Sequence, residues 1–145
     1  MTRFSRIQVA ALIAAFFLIA DQFIKQLVYV HKPLLDWIIV HIVFVQNTGA
    51  SFGILQNNNP LFIWISLMVL GAALYFHEKI PSKAAPYAII IAGGIMSNML
   101  DRIIRGFVVD YIDLGWFPIF NIADSMIVIG TGILILISWR NKDHS

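Results

Sequence analysis

The residues of this 145-residue chain best suited to chemistry are its carboxylates, because several of them fall in or beside long apolar segments. An ionisable group inside a membrane is costly, so each such residue is a candidate for function. Two carboxylates that share one site cannot both ionise, and the charged one can activate water while the protonated one polarises a carbonyl group. The eight acids are Asp21, Asp36, Glu78, Asp101, Asp110, Asp113, Asp124 and Asp143.

Asp110 and Asp124 are the best candidates for such a pair. Asp110 lacks a partner at helical spacing and lies among apolar neighbours, where a carboxyl group tends to keep its proton. Asp124 lies near the start of an apolar segment, where the helix dipole favours a negative charge. Asn121, three residues before it, also predicts a capping box there. The interval between the two aspartates permits contact without requiring it.

Three other aspartates have simple structural explanations. Asp21 precedes Lys25 by four residues, and Asp101 precedes Arg105 by four, so each pair is expected to form an ion pair on one helix face. Asp113 is expected to be a solvated residue of the loop that also carries Asp110.

The composition predicts a membrane protein. Hydrophobic residues make up 59% of the chain and charged residues 12%, and the mean hydropathy is +0.81. A soluble domain needs about a quarter charged residues, so lipid rather than water is expected to cover much of the surface. A net charge of +2 with no basic run argues against a nucleic-acid partner.

Four apolar segments predict a single integral membrane domain, 1–145. A helix needs about 20 residues to cross the hydrocarbon, and the predicted spans are 7–30, 61–78, 87–104 and 121–139. The first is interpreted as an uncleaved signal-anchor. Basic residues predict that both termini are cytoplasmic. The basic residues predicted on the cytoplasmic side are Arg3, Arg6, Lys79, Lys83, Arg140 and Lys142. Those predicted on the outer side are Lys32, Arg102 and Arg105.

The segment 31–59 is expected on the outer side of the membrane. Residues 37–45 are rich in β-branched and aromatic side chains and are too short to span as a helix, so they predict a strand. Residues 49–55 predict a short interfacial helix, and 57–59 a loop. A small β structure therefore accompanies the helices.

Serine chemistry is the main catalytic alternative. Residues 49–53 match G-x-S-x-G, but that motif needs an α/β sheet and a downstream histidine, and both downstream histidines are predicted on the other side of the membrane. A dyad of Lys25 with Ser51 or Ser97 remains open. The sequence has no cysteine and no H-E-x-x-H motif, so it predicts neither thiol catalysis nor a metal site.

Five motifs, in order along nearly the whole chain, resemble those of the lipoprotein signal peptidase family, or signal peptidase II. The family implies four transmembrane helices with an outer β-cradle and a short periplasmic helix, in an otherwise all-α membrane fold. The motifs are Asp21-Gln22-Phe23-Ile24-Lys25, Asn47-Thr48-Gly49-Ala50-Ser51-Phe52, Gly93-Gly94 with Asn98-Met99-Leu100-Asp101-Arg102, Val108-Val109-Asp110-Tyr111, and Phe120-Asn121-Ile122-Ala123-Asp124-Ser125.

The resemblance implies an aspartic endopeptidase of the bacterial inner membrane that works without a cofactor. Asp110 and Asp124 match the catalytic pair. The implied substrate is a prolipoprotein with a diacylglyceryl cysteine, cut just before that cysteine, and membrane lipid and globomycin-type inhibitors are expected as further partners. Residues expected to bind substrate or hold the pair are Asn47, Asn98, Arg102 and Asn121, and those expected to support the site are Asp21, Lys25 and Asp101.

Two positions depart from the family pattern, and two other classes of protein remain as alternatives. Ser97 stands where the family usually has glycine, and Ser51 where alanine is common. A small transporter would use Asp21, Lys25 and Asp124 as an ion path, but the inner halves of the predicted helices lack ionisable residues. A non-enzymatic membrane scaffold would use the charges for packing alone.

Overall fold

The structure, a computed structural model, describes residues 3–33, 35–36, 39–49 and 55–142. Within these ranges it contains four α-helices, a short 3-10 helix at His77–Lys79 and one small sheet. The α-helices are α1 (Arg3–His31), α2 (Asn59–Tyr75), α3 (Ala85–Arg105) and α4 (Ile122–Lys142). The strands are β1 (Leu35–Asp36), β2 (His41–Asn47) and β3 (Val108–Asp113).

Three helices in the described part of the chain are long and apolar enough to cross a membrane: α1 over Ser5–His31, α3 over Ala85–Arg105, and α4 over Ile122–Arg140. The fourth helix, α2, is apolar but has only 17 residues. By length, three of the four expected spans are therefore present. Large apolar side chains are exposed on all four helices, as a lipid-covered surface requires. Examples are Phe16, Ile19, Trp64, Leu74, Ile104, Val128 and Trp139.

Helix ends follow local chemistry. Pro60 and Pro86 lie in the first turns of α2 and α3, where a missing amide hydrogen costs nothing. Gly106 ends α3 with φ of 79°, the left-handed conformation that glycine adopts without steric cost. The chain therefore turns sharply from α3 into β3.

The sheet is antiparallel, in the order β1-β2-β3. Its longer pair places Asn47 of β2 opposite Val108 of β3 and His41 opposite Asp113. The expectation that Asp110 and Asp113 lie in a loop is wrong, because residues 108–113 form β3. The physical reason is that this run contains two valines, a tyrosine and an isoleucine, which favour a strand once β2 supplies a paired edge.

The segment before α2 differs in detail from the sequence-based expectation. The strand expected over 37–45 begins at His41 and continues to Asn47, and residues 37–38 lie outside the described residues. Positions 50–54 of the expected interfacial helix also lie outside them. Asn59, expected in a loop, is the first residue of α2.

The central helix is α3, which contacts the other three α-helices and β3. Its contact with α4 is close at Gly94, where an added Cβ would lie 2.6 Å from the carbonyl oxygen of Ala123. At Gly93 an added Cβ would lie 3.2 Å from the Cβ of Ala14, so this glycine allows a similarly close approach of α3 to α1. Small residues of this kind let membrane helices pack closely, and here they hold α3 and α4 in the register that positions the polar residues below.

Candidate active site at the ends of three helices

Asp110 lies in β3 with 2% of its surface exposed. Its Oδ1 accepts a hydrogen bond of 2.7 Å from Asn121 Nδ2, and its Oδ2 accepts one of 2.9 Å from Asn47 Nδ2. Asn47 can reach it because the antiparallel register brings the end of β2 beside the start of β3. The partners that helical spacing could not supply therefore come from a neighbouring strand and from the start of α4.

Asp124 lies in the first turn of α4 and forms the predicted capping box with Asn121. The backbone amide of Asp124 donates to Asn121 Oδ1 at 2.9 Å, and the amide of Asn121 donates back to Asp124 Oδ2 at 3.3 Å. The other carboxylate oxygen accepts a 2.7 Å bond from Asn98 Nδ2 on α3. The carboxylate of Asp124 is thereby oriented from two helices.

Asn121 connects the two aspartates. It is fully buried, and its side chain contacts Asp110 through Nδ2 and the Asp124 amide through Oδ1. Asn98 Oδ1 lies 3.3 Å from the same Nδ2. The structure therefore brings Asp110, Asp124 and the three predicted asparagines, including Asn47, into one cluster.

The environment of Asp110 favours its protonated form. Burial raises the pKa of this carboxyl from an ordinary 3.8 to about 7, and the nearby charge of Asp124 acts in the same direction. Hydrogen bonds from Asn47 and Asn121 lower the pKa by less. Two close carboxyl groups, one of them neutral near pH 7, can work as an acid and a base.

A buried ionic cluster lies beside the aspartates. Lys25 Nζ is 2.8 Å from Asp21 Oδ2 and 3.1 Å from Asp101 Oδ2, and all three side chains are fully buried. Asp101 also pairs with Arg105, so both ion pairs expected from sequence spacing are present. Two acids and two bases balance, which is how charges are tolerated away from water. The sequence did not indicate the contact of Lys25 with Asp101, because it joins α1 to α3.

Asp21 also links α1 to β3 and α4. Its Oδ1 accepts from the Tyr111 hydroxyl at 2.9 Å and from the Ile122 amide at 3.1 Å, and its Oδ2 accepts from Ser97 Oγ at 2.7 Å. Burial and the adjacent carboxylate raise the pKa of Tyr111, so its hydroxyl keeps the proton that it donates. Tyr111 was missed as a site residue, although it follows Asp110 directly and belongs to the same family-like motif.

Arg102 lies near the aspartates without an ion pair to either. Its Nη2 donates to the carbonyl oxygen of Gly49 at 2.9 Å, and its guanidinium lies 4.9 Å from the centre of the Phe62 ring. Its Nε is buried and has no hydrogen-bond partner among the described residues. Arg102 thus holds the chain just after β2 close to the site.

The serine alternatives receive no support from the described residues. Ser97 is fully buried and donates to Asp21 rather than to Lys25, whose ammonium is occupied by two carboxylates and Asn98. Ser51 and most of the G-x-S-x-G segment lie outside the described residues. Within the described ranges, no cluster of three histidine or acidic side chains could hold a metal ion.

A cavity of about 210 Å³ opens beside Asp124. Its walls are mostly apolar and come from residues 117–120 and from the exposed side of α4, including Val128 and Ile129. Asp124 and Ser125 are the polar residues that line it. An apolar group placed there would lie next to the carboxylate.

The fold and the site together define a membrane protein with a pair of linked aspartates at one end of its helices. A family model described as Signal peptidase (SPase) II matches residues 13–140. A lipoprotein signal peptidase of Syntrophomonas wolfei is 45% identical over 102 residues, which cover 68% of this chain and 66% of that protein. One of Halothermothrix orenii is 37% identical over 132 residues, covering 86% and 91% respectively.

Solved structures agree with this assignment. A bacterial membrane enzyme determined by the in meso method at 2.3 Å resolution matches with a TM-score of 0.85 and 33% identity, covering 95% of this chain and 90% of that one. The chain belongs to the signal peptidase II family.

Proposed function

We propose that the chain is an aspartic endopeptidase that removes the signal peptide from diacylglyceryl-modified prolipoproteins, cutting before the lipidated cysteine. The observation that carries this proposal is the contact of Asp110 and Asp124 with one shared residue, Asn121. Paired carboxylates are the machinery of aspartic proteases. Membership of the signal peptidase II family supports the substrate class.

In the proposed mechanism Asp124 is ionised and Asp110 carries the proton. Asp124 accepts hydrogen bonds from Asn98 and from the Asn121 amide, which favour the carboxylate form. Asp124 takes a proton from the attacking water, and Asp110 gives its proton to the scissile carbonyl oxygen. As the C–N bond breaks, Asp124 passes its proton to the leaving amine and the hydroxyl of the intermediate returns a proton to Asp110.

The polar residues around the pair have a division of roles in this proposal. Asn47, Asn98 and Asn121 orient the carboxyl groups, because each donates an amide hydrogen to one of them. Arg102 holds the Gly49 carbonyl and presents the rest of its guanidinium for the substrate backbone. Asp21, Lys25 and Asp101 support the site from behind.

The apolar cavity beside Asp124 is the proposed entry for substrate. A diacylglyceryl cysteine stays at the membrane interface, so a protease for it needs its carboxylates at that depth with lateral access from lipid. The cavity opens on the side of α4 that exposes Val128 and Ile129. Membrane lipid and globomycin-type inhibitors are proposed to compete for the same apolar surface.

The proposed topology has four spans, with both termini in the cytoplasm of the bacterial inner membrane and the aspartates near the outer face. The 17 residues of α2 equal the shortest helices that cross a bilayer, about 17 residues. Helix α2 then lies antiparallel to α3, which matches their short connection through residues 76–84.

The test is cleavage of a synthetic lipobox peptide by the purified protein in lipid, with the product mapped by mass spectrometry. We expect one cut, immediately before a diacylglyceryl cysteine, and no cut in the same peptide without the lipid. Ion flux in vesicles without cleavage would favour a transporter, and neither activity would favour a scaffold. Cleavage that survives loss of both aspartates but requires Ser51 would favour serine chemistry.

A further inference from the structure

A second apolar groove lies between α2 and α3, at the end of the bundle opposite the aspartates. Its volume is about 310 Å³, within the lower range of ligand-binding pockets, roughly 300–1,000 Å³. Along α3 it extends from Ala85 to Met96, a distance of ~16 Å at 1.5 Å per residue. A groove of this length and apolar lining suits a linear hydrocarbon chain.

The groove exists because α2 and α3 pack loosely. Where α3 meets α4, Gly94 and Gly130 leave no space for an added Cβ. Where α3 meets α2, alanines such as Ala73, Ala88 and Ala92 line an open space instead. None of the described residues of α2 is buried. The helix pair therefore offers room that a ligand from the membrane can fill.

Basic residues lie in the connecting segment that supplies His77 and Ile80 to one end of this groove. The connection between the two helices carries His77, Lys79 and Lys83 against a single acid, Glu78. His77 itself lines the groove, and its Nδ1 is 2.8 Å from the carbonyl oxygen of Leu74. The lysines are exposed, and Lys79 Nζ lies 5.3 Å from the centre of the Phe76 ring. An apolar groove with a cationic end is complementary to a molecule with a hydrocarbon chain and an anionic head.

We propose that this groove binds one anionic phospholipid, with an acyl chain between α2 and α3 and its phosphate beside Lys79 and Lys83. In the topology proposed above, that end of the groove faces the cytoplasmic leaflet, whose anionic lipids attract basic residues near the membrane surface. The lipid would complete the packing of α2, which its neighbouring helices leave incomplete. This binding is separate from peptide cleavage and involves none of the residues around the aspartates.

The test uses the purified full chain in detergent with an equimolar mixture of dioleoyl phosphatidylglycerol and dioleoyl phosphatidylcholine, and native mass spectrometry counts retained lipids. We expect one retained lipid, with a preference for phosphatidylglycerol of about tenfold or more from two lysines. The double change Lys79→Gln with Lys83→Gln should remove the preference. Its matched control, Arg6→Gln with Arg140→Gln, removes the same charge from exposed positions outside the groove and should keep it.

Groove filling is tested by two neighbouring positions on one helix. Ala73 lines the groove, whereas Ala72 is exposed outside it. Ala73→Leu should lower retention of both lipids at least fivefold, and Ala72→Leu should leave it unchanged. Equal retention of the two lipids by the unmodified chain would overturn the proposal. Equal lipid retention by the two leucine variants would also overturn it. So would an equal lipid preference in the two charge variants, a comparison that does not require Ala73→Leu to be stable.

Discussion

The ammonium of Lys25 donates a 2.8 Å hydrogen bond to Asn98 Oδ1, and this fixes which end of the Asn98 amide faces Asp124. With its oxygen held by Lys25, Asn98 must turn its Nδ2 toward the carboxylate, where it donates at 2.7 Å. The buried ionic cluster and the aspartate pair are therefore parts of one network that runs from α1 through α3 to α4.

Changing Asp110 or Asp124 to asparagine should lower cleavage by at least about a thousandfold, the scale of losing a group that acts in the chemistry. Asparagine keeps the size of the side chain, but it replaces one of the two acceptor oxygens with an amide donor and cannot exchange a proton with water. The measurement is turnover of a lipidated precursor, with thermal unfolding recorded alongside. Asp113→Asn is the control, since Asp113 bonds only the Gly115 amide among the contacts described for its side chain. Robust turnover by either of the first two variants would remove the aspartate pair from the mechanism.

Activity should fall as pH rises through about 7. Burial and the charge of Asp124 raise the Asp110 pKa to about 7, and the proposed mechanism needs this group protonated, so kcat/KM should drop about tenfold per unit above that pH.

The stability of the fold should also decrease as pH rises toward 7. A folded pKa above the unfolded value stabilises the fold at low pH, and this stabilisation is lost as pH rises through the folded pKa. Thermal scans of Asp110→Asn should show a weaker pH dependence, and an unchanged one would contradict the assignment.

Asp21→Leu should destabilise the protein more than the double change Asp21→Leu with Lys25→Met. Removing Asp21 leaves two bases, Lys25 and Arg105, with the single acid Asp101, so the buried cluster carries an uncompensated charge, at a cost of about 3–5 kcal/mol. The double variant leaves Asp101 paired with Arg105, so charge stays balanced. Unfolding temperature in one detergent measures the difference. If Asp21→Leu is inactive yet as stable as the unmodified chain, Asp21 acts in the chemistry and not in support.

Gly94→Ala should reduce stability by about 1–3 kcal/mol, the usual cost of overpacking. The added methyl group would lie 2.6 Å from the Ala123 carbonyl and must push α4 away from α3. Because Asp124 follows Ala123, activity should fall more than stability alone explains. Gly71→Ala is the matched control, since an added Cβ there meets no atom within 4 Å. Equal behaviour of the two variants would show that the α3–α4 contact is not tight.

Single cysteines at Asn58 and Arg140 should react differently with a membrane-impermeant thiol reagent in intact cells. The chain has no cysteine of its own, so labelling reports each position alone. Asn58 precedes α2 and is expected outside, whereas Arg140, near the end of α4, is expected in the cytoplasm. Arg140 should be labelled after the membrane is permeabilised. Labelling of both in intact cells would exclude the four-span topology.

Local spacing predicted the local parts of this site. The pairs Asp21–Lys25 and Asp101–Arg105 and the Asn121 capping box are all three or four residues apart, so helix geometry alone brings their members together. The resemblance to known motifs added the asparagines as candidates, but not the partners that they contact.

The contacts that assemble the site were not predictable in this way. Asn47 reaches Asp110 only because β2 and β3 pair, and Asn98 reaches Asp124 only because glycines let α3 and α4 approach. Residues 108–113 were expected in a loop because a run of six residues that includes two aspartates gives no sign of its pairing strand. Long-range pairing and helix register depend on the whole packed chain, which a local pattern does not describe.

Side chains from both faces of strand β3 form hydrogen bonds with the residues at the start of α4. Successive side chains of a strand point to opposite sides, and here Asp110 contacts Asn121 while Tyr111 accepts a 3.2 Å hydrogen bond from the Ile122 amide. Rotation or sliding of α4 would break both contacts at once, so the first turn of that helix has little freedom to move. The cavity beside Asp124 is bounded by this helix on one side and by residues 117–120 on the other. We therefore expect a bulky lipidated chain to be admitted by movement of residues 117–119, while α4 stays in place.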